Sequence, residues 1–230
     1  AITRKYKNGY IQYVKNMKEI IFNSVIPDVF SHSNTLNSDV WNSDVVFNKE
    51  QLYLIEADSG KGKSTFCSYI LGYRRDYSGN IKFDNRSVRE MKISEWIDIR
   101  KLHISYLFQE LRLFPELTAF ENVEIKNKLT NFKNKQQILE WFEILGIGDK
   151  VNSKICHMSF GQQQRVAMIR ALVQPFDFIL VDEPISHLDD NNSKIMGDIM
   201  MTESKAQGAG VIVTSIGKHM NLNYNKVFKL

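Results

Sequence analysis

Apolar positions along the chain follow two periods, one typical of strands and one typical of helices. Short runs of β-branched and aromatic residues predict strands, and they read VVF, LYLIEA, NIKFD, ISYLFQ, FDFILVDE, GVIVTS and KVFKL. Helical spacing predicts helices at 63–71, 118–129, 134–147, 160–174 and 193–205. Because strands and helices alternate around a helical stretch, the pattern predicts an α/β fold with a mostly parallel sheet and a helical subdomain.

The composition fits a globular protein of one large α/β domain or two small ones. The chain has 230 residues, of which 43% are hydrophobic and 24% are charged. It contains no run of about 18 apolar residues, so no membrane-spanning helix is predicted. The start, AITRKYKNGYIQY, is basic and polar, unlike a secretion signal. Two cysteines, Cys67 and Cys156, form no disulfide framework, and we expect a reduced, cytoplasmic protein.

The net charge of +4 lies at the N-terminus. Residues 1–24 contain five basic residues and one acidic residue, so the rest of the chain is neutral, with 25 of each sign. A neutral body argues against a nucleic-acid surface, and no nucleic-acid partner is expected. We interpret 1–24 as a basic N-terminal extension. It could face anionic lipid or a partner, or it could simply be solvated.

The stretch LIEADSGKGKSTF joins a predicted strand to a predicted helix and matches most of the phosphate-loop pattern G-x-x-x-x-G-K-[ST]. Its glycines leave backbone N–H groups free to approach phosphate oxygens, and the helix start adds further amides. Lys63 would reach the β- and γ-phosphates, and the Ser64 hydroxyl would bind Mg²⁺. Ala57 replaces the first glycine, a mild departure because its side chain is small. A lysine-rich turn without a ligand is the alternative. The predicted nucleotide-binding residues are Ala57, Asp58, Ser59, Gly60, Lys61, Gly62, Lys63, Ser64 and Thr65.

Two adjacent acids end the apolar strand FILVDEP, at the edge where parallel sheets build ligand sites. Asp182 is predicted to hold Mg²⁺, and Glu183 to polarise an attacking water. A buried strand that ends in acids can be merely structural. However, two neighbouring carboxylates repel each other, and a bound cation relieves that repulsion.

Between loop and acids lies MSFGQQQRVAMIRAL, and with it the sequence resembles the ATP-binding cassette (ABC) ATPases. Ser159, Gly161 and Gln162 match the family's signature motif LSGGQ, whereas Met158 and Phe160 replace Leu and Gly. Three further motifs match in the family's order: the Q-loop glutamine at Gln109, the strand acids at Asp182 and Glu183, and the D-loop SHLD, which ends at Asp189. The likeness covers about 25–230, nearly the whole chain.

The resemblance implies a P-loop NTPase core with a mostly parallel sheet, an antiparallel β part near the N-terminus, and a helical subdomain at about 110–172. It implies ATP and Mg²⁺ as ligands, with Ser64, Gln109 and Asp182 at the metal. Two cassettes, identical or different, are expected to dimerise head to tail. Ser159, Gly161, Gln162 and Asp189 then face the ATP on the partner's loop. Integral membrane permease subunits would dock by the Q-loop, which places the protein at the cytoplasmic face of the inner or plasma membrane. An adenine-stacking aromatic is expected at 28–36, with Phe30 preferred and His32 second.

The stretch LFQELRLFPELTAFENVEI is most similar to the lipoprotein-release, macrolide-exporter and cell-division cassettes. The alternative is an ordinary amphipathic helix that follows a turn at Pro115 and carries no information about partners.

Two departures from the family pattern lie at the γ-phosphate. Ser215 occupies the place of the family's switch histidine, and a hydroxyl is shorter and cannot carry the positive charge of an imidazolium. Phe160 replaces a glycine where backbone should approach phosphate. We therefore predict intact ATP binding and slow hydrolysis, with Glu183, Gln109 and Ser215 as the catalytic positions. Two alternatives stay open: a regulatory subunit without turnover, and a soluble ABC protein without a transport role.

Overall fold

A computed structural model describes residues 16–31, 37–185 and 189–230 and places the strands in two sheets. The antiparallel sheet has the order β2-β1-β4-β5 and the parallel sheet the order β6-β7-β8-β3-β9. The strands are β1 (Glu19–Pro27), β2 (Asp44–Asn48), β3 (Leu52–Glu56), β4 (Tyr77–Phe83), β5 (Arg86–Ser87), β6 (Ile104–Leu107), β7 (Phe178–Asp182), β8 (Gly210–Ser215) and β9 (Lys226–Lys229). The helices are α1 (Lys63–Ile70), α2 (Ile93–Asp98), α3 (Ala119–Asn127), α4 (Lys135–Ile144), α5 (Phe160–Leu172) and α6 (Asp190–Gln207).

Strand β3 separates the two hydrophobic cores because successive side chains point to opposite faces of a sheet. Leu52 and Leu54 pack with the core that includes α3, α4, α5 and α6. Tyr53 and Ile55 pack with the core between the two sheets, which also holds α1. The central strands β7 and β8 are buried along their full length, as expected for parallel strands covered on both faces.

Helix boundaries follow from side-chain caps. Thr118, Asn134 and Ser159 each accept a hydrogen bond from the backbone three residues on, and the residue at that position bonds back, which completes a capping box. Helix α6 ends at Gln207 and is capped by Gly208, whose φ of 60° suits glycine. Helices α3, α4 and α5 lie within 110–172, where a helical subdomain is predicted.

In the described ranges, no helix is both long and apolar enough to cross a bilayer.

The N-terminal boundary needs a correction. Strand β1 begins at Glu19 and pairs with both β2 and β4, so the predicted boundary at residue 24 falls inside a strand. Ile20 and Phe22 are fully buried in the core between the sheets. Residues 1–15 lie outside the described part of the chain, so the basic extension remains a prediction for those residues.

Candidate functional site

The predicted phosphate loop connects β3 to α1 at the carboxyl edge of the parallel sheet. Gly60 and Gly62 have φ values of 81° and 96°, in the left-handed region that favours glycine. Ala57 has no positive φ, and its amide donates to the Ser215 carbonyl at 3.1 Å, so the loop needs no glycine there. The segment from Asp58 to Lys61 is exposed, which leaves the outer side of the loop open to a ligand.

Lys63 lies at the centre of this loop and is only 6% exposed. Its ammonium donates to the carbonyls of Ala57 and Asp58 at 2.9 and 3.1 Å. The same Nζ atom lies 3.8 Å from the Glu183 Oε1 atom. Burial lowers the pKa of Lys63, and the charges of Glu183 and Asp182 oppose that shift. The loop therefore brings its cation against the acids of β7.

The two acids at the end of β7 have different surroundings. Asp182 is 2% exposed and accepts hydrogen bonds from the hydroxyls of Tyr106, at 2.9 Å, and Thr214. Glu183 is only partly buried, has a φ of 46°, and accepts from the Gln109 amide at 3.1 Å. A left-handed conformation at a non-glycine residue costs about 1–2 kcal/mol. Burial raises the pKa of Glu183, and Lys63 opposes the shift. The structure thus brings together Lys63, Glu183, Gln109 and Asp182.

Ser64 and Thr65 occupy the first turn of α1, directly after Lys63. The Ser64 side chain is exposed, whereas the Thr65 hydroxyl accepts from Arg74 at 3.1 Å. No cluster of three or more His, Cys, Asp or Glu side chains arranged for a metal occurs among the described residues. The metal ligands predicted from the sequence, Ser64, Gln109 and Asp182, therefore remain a prediction.

Ser215 ends β8, beside the loop. Its side chain is 2% exposed, and its hydroxyl donates to the Lys218 carbonyl. His219 contacts residues other than Ser215: its Nδ1 atom is 3.7 Å from Glu56 Oε1, and its ring packs edge-on against Tyr224. The two contacts hold the only histidine of the turn at 216–219 against Glu56 and Tyr224.

Two aromatic side chains pack on the loop. The Phe30 Cε2 atom lies 3.1 Å from the position that a Cβ on Gly62 would occupy, so the predicted adenine-stacking residue is adjacent to the loop. The Trp41 indole donates to the Lys61 carbonyl at 3.4 Å. The second candidate, His32, lies outside the described residues.

The signature residues form the start of α5 and bond to one another. The Ser159 amide donates to Gln162 Oε1 at 2.9 Å, and the Gln162 amide donates to Ser159 Oγ at 3.4 Å. Gly161 lies in the same first turn, and the side chain of Phe160 is 42% exposed. Within one chain, these two hydrogen bonds join the signature residues to each other and not to the phosphate loop.

Asp189 caps α6 and accepts from the Asn192 amide at 2.8 Å, which lowers the pKa of the Asp189 carboxyl. The other D-loop residues, 186–188, lie outside the described ranges.

Three contacts at the site were absent from the sequence prediction: Trp41, Tyr106 and Thr214. Thr214 carried a signal, because it is polar within an otherwise apolar strand and pairs in register with Asp182. Tyr106 and Trp41 gave none: the Tyr106 contact depends on which strands lie side by side, and the Trp41 contact on how the turn before β2 packs on the loop.

Known proteins are similar to this chain over most of its length. The profile described as "ABC transporter" matches residues 41–186, more than half of the chain. The chain belongs to the ABC transporter family. It is 31% identical over 170 residues to the lipoprotein-releasing system ATP-binding protein LolD of Buchnera aphidicola, covering 73% of this chain and 74% of LolD. It is 30% identical over 179 residues to the macrolide export ATP-binding/permease protein MacB of Aggregatibacter actinomycetemcomitans, covering 76% of this chain and 28% of MacB.

A solved structure agrees with this assignment. The dimeric structure of MJ0796, a bacterial ABC transporter cassette, superposes with a TM-score of 0.71 at 25% identity, covering 85% of this chain and 87% of that one. The predicted P-loop α/β fold is confirmed, as is the prediction of an ABC-type ATPase subunit that binds ATP. The predicted likeness to lipoprotein-release and macrolide-exporter cassettes is also confirmed.

Proposed function

We propose that this chain binds MgATP at its own phosphate loop, dimerises head to tail across that ATP, and thereby powers membrane permease subunits. The observation that carries the proposal is the meeting of Lys63, Glu183, Gln109 and Asp182 at one edge of the sheet. The family assignment supplies ATP as the ligand, and the roles of individual residues are our assignments.

Phosphate oxygens fit the surroundings of Lys63. Its ammonium donates hydrogen bonds to two loop carbonyls and lies near Glu183, so all of its neighbours are oxygen atoms. Phosphate oxygens are acceptors of the same kind and carry negative charge, so they can bind the same ammonium. The residues of the loop, 57–62, add their backbone amides, and α1 begins at Lys63 with amides that have no partner within the helix. Phe30, whose ring lies beside Gly62, would stack on the adenine.

Mg²⁺ fits the other side of the site. Ser64, Gln109 and Asp182 offer hydroxyl, amide and carboxylate oxygens, which are hard ligands suited to Mg²⁺. Asp182 is fixed by two hydroxyl donors, an arrangement that orients a carboxylate toward a metal. When bound, the ion neutralises negative charge on the phosphates.

Glu183 is the proposed general base. A water oxygen attacks the γ-phosphorus, its proton passes to a Glu183 carboxylate oxygen, and the bond from γ-phosphorus to the ADP oxygen breaks. Burial raises the pKa of Glu183, which makes its carboxylate a better proton acceptor than an exposed one. Gln109 orients this carboxylate through its 3.1 Å hydrogen bond. Because the Ser215 hydroxyl is bonded to its own turn, we propose that turnover by the isolated subunit is slow.

The partner surfaces follow from what a single chain lacks. Ser159, Gly161 and Gln162 form a helix start whose capping hydrogen bonds stay within it, and this start would grip the γ-phosphate on the partner's loop. Asp189 would face the same interface. Permease subunits would dock beside Gln109 and the helices α3, α4 and α5, and the protein would then lie at the cytoplasmic face of the membrane.

MgATP binding by the purified chain tests the proposal. Isothermal titration calorimetry should show binding by the parent and none detectable by Lys63→Ala, which removes the cation at the β- and γ-phosphates. Lys61→Ala is the matched control, because Lys61 is assigned to ATP through its backbone amide, which alanine keeps, and its side chain is exposed. This variant should retain affinity to within a small factor. Equal affinity of the parent and Lys63→Ala would overturn the assignment of the loop.

A further inference from the structure

The turn that follows Gln109 contains two consecutive left-handed residues, neither of which is glycine. Leu111 has a φ of 59° and Arg112 a φ of 49°. Side chains with a Cβ rarely adopt this conformation, and two in succession persist only where the surroundings hold them. The contacts of this turn therefore identify what holds it.

Arg170, on α5, supplies those contacts. Its Nη1 atom donates to the Arg112 carbonyl at 2.6 Å, and its Nη2 atom donates to the Leu111 carbonyl. Both left-handed residues thus present their carbonyls to one guanidinium. The planar fork of arginine can serve two neighbouring acceptors at once, whereas a lysine ammonium cannot do so with fixed geometry.

The contact is also the main compensation for the charge of Arg170. Burial lowers the pKa of Arg170 to about 10, and no carboxylate of the described residues raises it again. A half-buried charge still needs hydrogen-bond partners on its buried side, and the two carbonyls provide them. The Leu111 side chain, 4% exposed, anchors the turn from the other side.

The contact between Arg170 and the Leu111–Arg112 turn joins two parts of the candidate site. Gln109 precedes the turn by two residues and donates to Glu183 at 3.1 Å. Helix α5, which carries Arg170 near its end, starts at the signature cap formed by Ser159. A rigid helix thus connects the surface proposed to face the partner's ATP with the residue that orients the base.

We propose that Arg170 is a positioning residue that holds the Leu111–Arg112 turn and thereby keeps Gln109 in register with Glu183 and the metal. We call the two hydrogen bonds from Arg170 to the Leu111 and Arg112 carbonyls the clamp. The effect of the clamp on the metal rests on the proposed function, whereas the clamp itself can be tested without that function. Displacement of α5 by a partner would be transmitted to Gln109 through this pair of hydrogen bonds.

Hydrogen exchange of the full chain tests the clamp directly. The Leu111 and Arg112 amides donate to the carbonyls of Phe108 and Glu110. In Arg170→Gln, exchange in peptides covering 109–114 should rise about tenfold or more, the effect of losing roughly 1.4 kcal/mol of local stability, while that of peptides covering β7 stays unchanged. Arg112→Gly in the Arg170→Gln background should return exchange toward the parent value, because glycine adopts a positive φ without steric cost.

Arg165→Gln is the matched control on the same helix. Arg165 is also a half-buried arginine, but it donates to the Leu145 carbonyl and to Asn192. This variant should leave the exchange of 109–114 close to that of the parent. Should Arg170→Gln fail to fold, Arg170→Lys decides the question, since it keeps the charge and loses the fork. Unchanged exchange in the Arg170 variants, an equal rise in Arg165→Gln, or no rescue by Arg112→Gly would overturn the clamp.

A double-mutant cycle tests the consequence at the metal. The probe is a fluorescent, non-hydrolysable ATP analogue, whose binding is titrated with Mg²⁺. Arg170→Gln should weaken the apparent Mg²⁺ affinity about tenfold, the lower end for a residue that supports a metal ligand. Gln109→Ala removes a proposed ligand and should weaken the affinity at least as much. The double variant should be no weaker than Gln109→Ala alone. Additive losses would show that Arg170 does not act through Gln109. If the parent binds no analogue, the proposed function fails, and the exchange result still decides the clamp.

Discussion

Replacing Ser215 by histidine is predicted to accelerate ATP hydrolysis by this subunit. In the structure, the Ser215 hydroxyl donates to the Lys218 carbonyl, so it is committed to the turn that follows β8. The residues of that turn, 216–219, are exposed, so the turn can shift to admit an imidazole ring. A histidine can bridge γ-phosphate and Glu183 and can carry positive charge, which the serine cannot.

The expected gain follows from the value of one preorganised contact. Such a contact to developing charge is worth about 2.7–4 kcal/mol, or 10²–10³ in rate. We therefore expect the parent to turn over well below ~1 s⁻¹, the low end of typical enzymes, and Ser215→His to recover part of the deficit. The assay is steady-state phosphate release by the isolated chain under saturating MgATP.

Phe160 is the second variable in this experiment. Its ring is 42% exposed at the start of α5, where the partner's phosphate should approach backbone. If Ser215→His alone does not raise the rate of phosphate release, the double variant with Phe160→Gly should raise it, because glycine lets the backbone approach the phosphate. His219→Ser is the control, because His219 lies against Glu56 and Tyr224, and its loss should leave turnover unchanged. A parent rate at or above ~1 s⁻¹ without any partner, or no gain in the double variant, would refute the reasoning.

Two further predictions concern contacts that the structure revealed. Tyr106→Phe removes one of the two hydroxyl donors to Asp182 and should weaken Mg²⁺ binding in the analogue titration about tenfold, with the half-exposed Tyr73→Phe as control; an unchanged Mg²⁺ affinity would contradict the role of Tyr106. Asp177 accepts from Lys49, His103 and the Met17 amide. Asp177→Asn should therefore destabilise the fold by about 3 kcal/mol, as for other broken buried ion pairs, whereas the exposed control Asp149→Asn should leave stability close to that of the parent. Although burial opposes it, the hydrogen bonds from His103 and Lys49 lower the pKa of Asp177. The stability contributed by Asp177 is therefore present above the unfolded pKa and is lost as pH falls through the lower folded pKa. Urea melts from neutral to acidic pH should show the free energies of unfolding of parent and Asp177→Asn becoming equal as the pH falls.

The pattern of apolar positions predicted the central strands and the longer helices, because the residues buried in each of these elements follow one regular spacing. Strands β7 and β8 are unbroken apolar runs, and α5 combines helical spacing with a serine cap. Strand β1 escaped prediction because a register shift between Asn23 and Ile26, with Ser24 at a φ of 46°, breaks its alternation. Helix α2 escaped because it is short, and its Ile93 and Ile97 are exposed.

The candidate site likewise contains residues that could be predicted from the sequence and contacts that could not. Lys63, Asp182 and Glu183 could be found from sequence because their motifs lie within single strand–loop–helix units. The hydrogen bond from Tyr106 to Asp182 requires β6 to lie beside β7, and the bond from Arg170 to the Leu111 carbonyl requires α5 to cross the Q-loop. Such contacts depend on the order and packing of elements, which the sequence pattern of each element does not contain.

The most direct test of an ATP-driven dimer is sedimentation velocity of Glu183→Gln with MgATP. Removing the proposed base should cut turnover by about 10²–10⁴ and leave Lys63, Ser64 and the signature residues able to hold ATP between two chains. The variant should sediment at twice the mass of one chain with MgATP and as a single chain without nucleotide, and Lys63→Ala added to it should abolish the dimer. A Glu183→Gln variant that binds MgATP yet stays monomeric at all protein concentrations would contradict the account.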